Sequence, residues 1–574
     1  MKFLNFLTRT FNIEIFKKAR VAIRNFPITE KVLFFGAVMV FIISAVVLFF
    51  NVNASLLVEV PTHGGTLQEG IIGTPRFINP VLAISDADRD LTKLVYAGLT
   101  KASPEGGYVP DLAKSYTISE DGTIYTFILK DELIFQDGDP LTTEDVAFTI
   151  SMAQDAILKS PKRVNWEGVS VNIISPTEIQ FILSEGFEPF IENTTLGILP
   201  KHIWNNITAD QFQFSQFNVE PVGAGPYQIK TVRYSSGGLP EHYELSPFKN
   251  YALGRPYIDR IIVRLYQNSD KLIEAFKKGT VDSLSGFTKE EYQEISADRA
   301  VNLVKLPLPR IFGVFFNQNE DPALLNKEVR QALSISVGRQ EIVSEVFGEF
   351  AEATGSPIPN SGKTVEPASA QQARELLEKK GWTVNEETGI YEKKNKEGVE
   401  KLTFSISTSN TPELVQTAEL LKSGWQKIGA EVNVKIFETN DLNQNVIRPR
   451  DYDSLLFGLV LGRNTDLYPF WHSSGRTDPG LNVAQYTNIT VDKILEDVRV
   501  TFDKTQRQEL FDSFTEELQN DIPAVFVYSP YFTYILPDNV KHAPIGNIVL
   551  PADRFNNINE WYVETDKVWK IFVN

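Results

Sequence analysis

An α/β body held behind one N-terminal transmembrane helix is the architecture this sequence predicts, and three observations predict it. Residues 32–50 (VLFFGAVMVFIISAVVLFF) form an uncharged run of 19 residues. Beyond it, segments with helical periodicity alternate with segments of strand periodicity, the pattern of α/β lobes. At 574 residues the chain is also too long for a single core, so two to four domains are expected.

Each element follows from its residues. About 20 apolar residues span the hydrocarbon core, so 32–50 is long enough to cross a bilayer. Residues 1–31 carry Lys2, Arg9, Lys17, Lys18, Arg20, Arg24 and Lys31 against Glu14 and Glu30, a surplus of five positive charges. This one-sided basic flank orients residues 1–31 as a cytoplasmic arm and the main body as extracytoplasmic. The competing reading is a cleaved signal peptide ending near Val52-Asn53-Ala54, but its apolar region would be typically 7–15 residues, shorter than this run. The expected location is therefore the cell membrane, single-pass, with the lipid bilayer contacted through 32–50 and a stalk at 51–61. With the arm set aside, the remainder carries −22 of the chain's net −17, which argues against a nucleic-acid partner. Cysteine is absent, so disulfides, thiolate chemistry, Cys-type zinc sites and a lipidated N-terminal cysteine are excluded.

Along the body, Tyr125, Phe127 and Leu129 alternate with Thr126, Ile128 and Lys130 as a half-buried strand. Asp137-Gly138-Asp139-Pro140 turns the chain, and Thr142 with Asp145 makes a capping box for the next helix. A helix over 271–278 is stopped by Gly279, and a longer one runs over 326–347. Thr411-Pro412 opens another that Gly429 ends, followed directly by a strand over 431–437. The Lys/Glu/Asn-rich stretch 385–401 reads as a solvated hairpin or surface loop.

The order of motifs adds what local patterns cannot. FINP (77–80), YAGL (96–99), VPDLAKSY (109–116), DGTIYTF (121–127) and FQDGDPLTTEDVAF (135–148) are followed by PVGAGPY (221–227), FKKGTVDSL (276–284), FFNQN (315–319), KEVRQALS (327–334), ARELLEKKGW (373–382), LLKSGWQKIGAEV (420–432) and YPFWHSS (468–474). This set resembles the extracellular solute-binding proteins of peptide- and nickel-type ABC importers, family 5, over roughly residues 64–562. The resemblance implies a three-lobed periplasmic-binding-protein-like body of the type II, Venus-flytrap class. Lobe I would comprise 62–97, 219–308 and 537–574, lobe II 98–218 and lobe III 309–536. It implies a non-enzymatic receptor that captures short peptides between lobes and hands them to ABC transporter permease subunits. The same fold could instead receive a metal chelate, an oligosaccharide or glutathione, or act as a ligand-gated surface sensor.

Ligand-binding candidates follow from that resemblance. In the loop 83–88, Ser85 and Asp86 correspond to a segment that pairs with the ligand backbone in relatives; a capped acidic turn before a helix from Asp90 is the alternative. Gly458, Leu459 and Val460 stand where relatives place a glycine–tryptophan strand beside the peptide, although the tryptophan is missing. Asp466 is the candidate partner for a ligand amine, after a short insertion. Arg448 and Arg450 are candidates for a ligand carboxylate, which guanidinium groups hold bidentately, against an ordinary solvated turn. Trp166 is a candidate cleft wall and Trp425 a core residue. PVGAGPY lacks the Lys-Ser/Thr ending of a phosphate loop and reads as a hinge element. The five histidines show no ligand spacing, so no metal and no cofactor is expected, and His472 reads as packed or capping.

Overall fold

The computed structural model describes residues 14–297, 300–359, 365–396 and 398–573. The chain divides into two compact units, one of residues 1–62 with 564–574 and one of residues 63–563. In the first unit, helix Glu14–Asn25 carries Lys17, Lys18, Arg20 and Arg24, and the rest of the expected basic arm, 1–13, lies outside the described residues. The apolar run is the middle of a 29-residue helix, Ile28–Leu56, entered through Pro27 and with no buried residue. A proline at that position opens a helix readily because its fixed φ suits the first turn and no backbone donor is lost. The helix does not end at Phe50: Asn51 to Leu56 hold no glycine or proline to stop it, and it stops only where Leu57 turns extended. Strand Leu57–Pro61 then pairs antiparallel with Thr565–Trp569, and the Trp569 indole N–H donates to Asn53 Oδ1 at 2.8 Å. The segment 565–569, expected within lobe I, thus pairs with 57–61.

The larger unit is organised by a twelve-stranded mixed sheet. Its spine is the 13-residue strand Ala524–Leu536. The first half of that strand pairs with Arg310–Phe316 and the second half with Asn302–Pro307. Two antiparallel crossings, with Leu308-Pro309 on one side and Tyr528 to Pro530 on the other, therefore join the two halves of the sheet. Toward one edge follow Ser283–Ser285, Thr66–Ile72, Arg260–Tyr266, Pro240–Pro247 and Tyr227–Tyr234; toward the other lie Arg310–Phe316, Ser454–Val460, Thr403–Ser409 and Glu431–Phe437. The expected helix and the strand after it are Pro412–Gln426 and Glu431–Phe437; a strand not expected from sequence, Thr403–Ser409, precedes the helix and pairs parallel with the second strand, completing a βαβ unit.

The apolar runs explain why this sheet is covered on both faces. In Ser454–Val460, Leu456 packs with Val314, Val525 and Val527 on one face, while Leu455 and Leu459 pack with Ile311, Phe315 and Phe526 on the other. A strand apolar on both faces reads as a continuous run because neither face meets water. A separate four-stranded antiparallel sheet, ordered Ala113–Ile118, Ile124–Leu129, Glu178–Ile182 and Ser170–Ser175, has the alternation expected: Tyr125, Phe127 and Leu129 are buried. Thr142 caps Thr143–Gln154 with Asp145 completing the box. The helix expected over 326–347 is interrupted. Lys327–Ser336 ends where Val337 turns extended, and a new helical segment starts at Arg339 after Gly338. Residues 383–401 form the expected hairpin, with a third short strand.

Candidate functional site

The site is built on helix Asp86–Val95. Ser85 caps it, its Oγ accepting from the Asp88 amide at 3.1 Å, while the Asp88 carboxylate accepts from the Ser85 amide at 3.0 Å. The helix thus begins at Asp86, four residues before the start expected at Asp90. Leu91, Leu94 and Val95 face the core, whereas Arg89, Thr92, Lys93 and Tyr96 recur at helical spacing and line a cavity of about 230 Å³. The far end of the helix is held by PVGAGPY: the Gly225 amide donates to Val95 O at 2.7 Å, and a Cβ on Gly223 would lie 2.2 Å from that oxygen. The glycines of this motif permit close backbone approach to the helix that carries the site.

Other segments close the cavity, among them Tyr108; Lys162, Asn165 and Trp166; Glu192 and Asn193; and the turn Pro551–Phe555 with Arg463 beside it. Arg463 Nη2 pairs with Asp553 Oδ2 at 2.9 Å and Nη1 donates to Asn547 O. The Glu192 carboxylate lies against the Gly462 backbone, and burial pushes its pKa up. Burial also pushes the ammonium groups of Lys93 and Lys162 below their ordinary value. Among the described residues, four buried polar atoms on residues that line the cavity have no hydrogen-bond partner: Thr92 Oγ1, Tyr96 OH, Tyr108 OH and Asn556 Oδ1. The Tyr108 hydroxyl faces the Glu192 carboxylate. Leaving such a group unsatisfied costs about 1–3 kcal/mol.

A second, wider cavity of about 900 Å³ shares Asn165, Glu192 and Asn193 with the first and extends past Phe187 to Gly462, Asp466 and Tyr468. Its walls are tied across by Arg507 to Glu188 at 2.5 Å and by Arg499, whose guanidinium lies 5.4 Å from the Phe187 ring.

The structure spreads the sequence-derived candidates over distinct surroundings. Ser85 is occupied as a cap, and the exposed Asp86 pairs with Arg89 at 3.3 Å, one residue removed from the cavity. Trp166 lines the first cavity, with its ring in edge contact with Phe181 and Phe190. Gly458, Leu459 and Val460 pair with Phe312, Ile311 and Arg310, while the opposite neighbour strand reaches only Ser454 and Leu455. That edge of the strand is therefore free of strand pairing from Leu456 on among the described residues. Gly458 is required by packing: a Cβ there would lie 2.5 Å from the Phe312 ring.

Asp466 faces the second cavity, but its carboxylate takes Arg499 bidentately at 3.0 and 2.6 Å and also accepts from the Tyr468 amide. Arg448 is exposed beside Asp478 at 3.7 Å and lines neither cavity. Arg450, at φ +63°, donates to the carbonyls of Ile447, Arg476 and Gly480, so its fork stitches a loop instead of facing a ligand. His472 caps Ser473–Gly475, and Trp425 is buried with its indole on Leu333 O. Among the described residues no cluster of three His, Cys, Asp or Glu side chains could hold a metal. Lys93, Lys162, Glu192, Tyr108 and Arg463 were not singled out from sequence. The stripe Arg89, Thr92, Lys93, Tyr96 on a helix whose other face is apolar is the signal that could have found part of the site.

Comparison with known proteins agrees with this architecture. Residues 107–480, more than half of the chain, match the model of the bacterial extracellular solute-binding proteins, family 5 Middle. The oligopeptide-binding protein AppA of Bacillus subtilis (strain 168) is 27% identical over 528 residues, 89% of this chain and 94% of its own. The nickel-binding periplasmic protein of Escherichia coli (strain K12) is 27% identical over 482 residues, 79% of this chain and 86% of its own. The solved structure of Bacillus subtilis AppA in complex with a nonapeptide superposes with a TM-score of 0.66 at 25% identity, covering 88% of this chain and all of that one. The chain belongs to the family 5 extracellular solute-binding proteins, with the α/β periplasmic-binding-protein fold of that family.

Proposed function

We propose that this chain is a membrane-anchored extracytoplasmic receptor that captures short peptides in the cavity beside helix Asp86–Val95 and delivers them to the permease of an ABC importer. The observation that carries the reading is the row of backbone groups left without a strand partner from Leu456 on, among the described residues. A peptide, with an amide at every residue and a charge at each end, satisfies groups of that kind. The unpaired edge at Gly458, Leu459 and Val460 offers main-chain pairing that holds a peptide without reading its side chains. Arg448 and Arg450 drop out as carboxylate partners because their forks lie away from both cavities. Asp466 is already neutralised by Arg499, so the role of amine partner passes to Glu192. The nonapeptide bound by AppA supports the ligand class. Helix Ile28–Leu56, apolar and exposed along its length, supports the anchored topology.

Thermal melting of the full chain in detergent, against random tetra- to nonapeptide pools and against nickel with L-histidine, tests this reading. Peptide pools are expected to raise the melting temperature. A response to nickel–histidine alone would move the ligand to the metal chelates, which the nickel-binding relative keeps as the competing class.

A further inference from the structure

We infer that Lys93 and Lys162 together form the seat for an anionic group of the ligand, so that this receptor selects ligands with a free carboxylate at that end. The inference rests on the peptide-receptor reading and deepens it. The chain is acidic overall, with a net charge of −17, yet four cations line this cavity, Arg89, Lys93, Lys162 and Arg463, against Glu192 and Asp553. Two of the cations are already answered: Arg463 by Asp553, and Arg89 by Asp86. Lys93 and Lys162 make no side-chain hydrogen bond or ion pair among the described residues, although both are half-buried.

Two neighbouring ammonium groups drawn out of water repel each other and lose hydration, which is unfavourable unless an anion joins them. Burial is the main cause that disfavours the charge of both lysines; Arg89 adds to it at Lys162 and, more weakly, so does Lys93, while Glu192 offsets part of it there and Asp553 part of it at Lys93. Beside Lys93 stand the buried hydroxyls of Thr92 and Tyr96, which have no hydrogen-bond partner among the described residues. Ammonium groups are donors only and an ionised carboxylate is an acceptor only, so two unpaired lysines lining one cavity suit a carboxylate. On the opposite wall Glu192 is the one lining anion without a cationic side chain bonded to it, so a ligand amine fits there and the seat fixes which way round a peptide lies.

The test compares two pools of random-sequence tetrapeptides, identical except that one ends in a free carboxylate and the other in a C-terminal amide. Binding to the full chain in detergent is read by calorimetry. The free-acid pool is expected to bind about tenfold or more tightly, and Lys162→Gln or Lys93→Gln to abolish that preference, while Lys162→Arg keeps it. Circular dichroism checks that each variant folds. Equal binding of both pools by the unaltered chain overturns the seat while leaving the peptide receptor standing. A preference that survives both glutamine variants places the anion elsewhere and also overturns it. Failure of both pools to bind removes the peptide reading, and the seat with it.

Discussion

Arg554 shows how single residues set the frame of this site. It is fully buried, and its guanidinium bonds Glu69 Oε1 at 2.9 Å and Asp90 Oδ2 at 2.6 Å while stacking 4.0 Å from the Phe555 ring. Glu69 is completed by hydroxyls of Tyr534 and Ser283. One cation thus ties together strands Thr66–Ile72, Ser283–Ser285 and Ala524–Leu536, the site helix Asp86–Val95 and the turn Pro551–Phe555, segments far apart in sequence. Arg554→Met leaves two buried carboxylates without their cation, and stability in denaturant is expected to fall by about 3–5 kcal/mol. A loss under 1 kcal/mol would show that the knot is not needed.

Asp321 is a second residue-scale case. It caps Pro322–Leu325, and burial, with Asp453 nearby, pushes its carboxyl up to about 6 from 3.8. With the folded pKa above the unfolded one, its contribution to stability is present below about pH 4 and is lost as pH rises through 6. Asn caps as well as Asp without the charge. Asp321→Asn is therefore expected to stabilise the chain by about 1–2 kcal/mol at pH 7.5 and by almost nothing at pH 4. Equal stability of the two proteins at pH 7.5 would contradict this.

At the scale of elements, the open edge of Ser454–Val460 depends on Gly458, against which the Phe312 ring lies stacked on Tyr528 with centroids 4.8 Å apart. Gly458→Ala overpacks that contact, so a loss of about 1–3 kcal/mol and weaker peptide binding are expected in melting and calorimetry. Unchanged values would mean that the ring moves freely aside. Elements were legible in sequence where local chemistry decides them: the capping box at Thr142, the helix and strand on either side of Gly429, the alternation of Tyr125 and Phe127, the apolar span. Helix 326–347 was misjudged because its apolar spacing continues across Val337-Gly338, where the backbone turns and resumes. The site was less legible. Ser85 and Asp466 are polar residues in plausible loops, yet one is used up as a cap and the other as an Arg499 partner, and only tertiary contacts reveal that. Lys93 and Lys162 stand 69 positions apart and carry no motif. They become a pair only once the fold brings their segments to one cavity.

For the whole molecule, the body is pinned across the wider cavity by Arg507 on Glu188, by Arg499 over Phe187 and by the Phe502 ring against Gly122. The chain passes between the halves of the large sheet at Leu308-Pro309 and along Tyr528 to Pro530, where the short strand Ala351–Ala353 also pairs. Few covalent crossings and a set of polar contacts across a cavity suit a body that opens and closes, with ligand favouring the closed arrangement only by the bonds it makes there. The central claim is that those bonds are made to a short peptide. Native mass spectrometry of the full chain purified in detergent, followed by denaturing release and sequencing of what it carries, tests this most directly. The expected result is a ladder of short peptides with free C-terminal carboxylates, depleted in the Lys93→Gln, Lys162→Gln double variant. A bound nickel chelate or a sugar in place of peptide would contradict it.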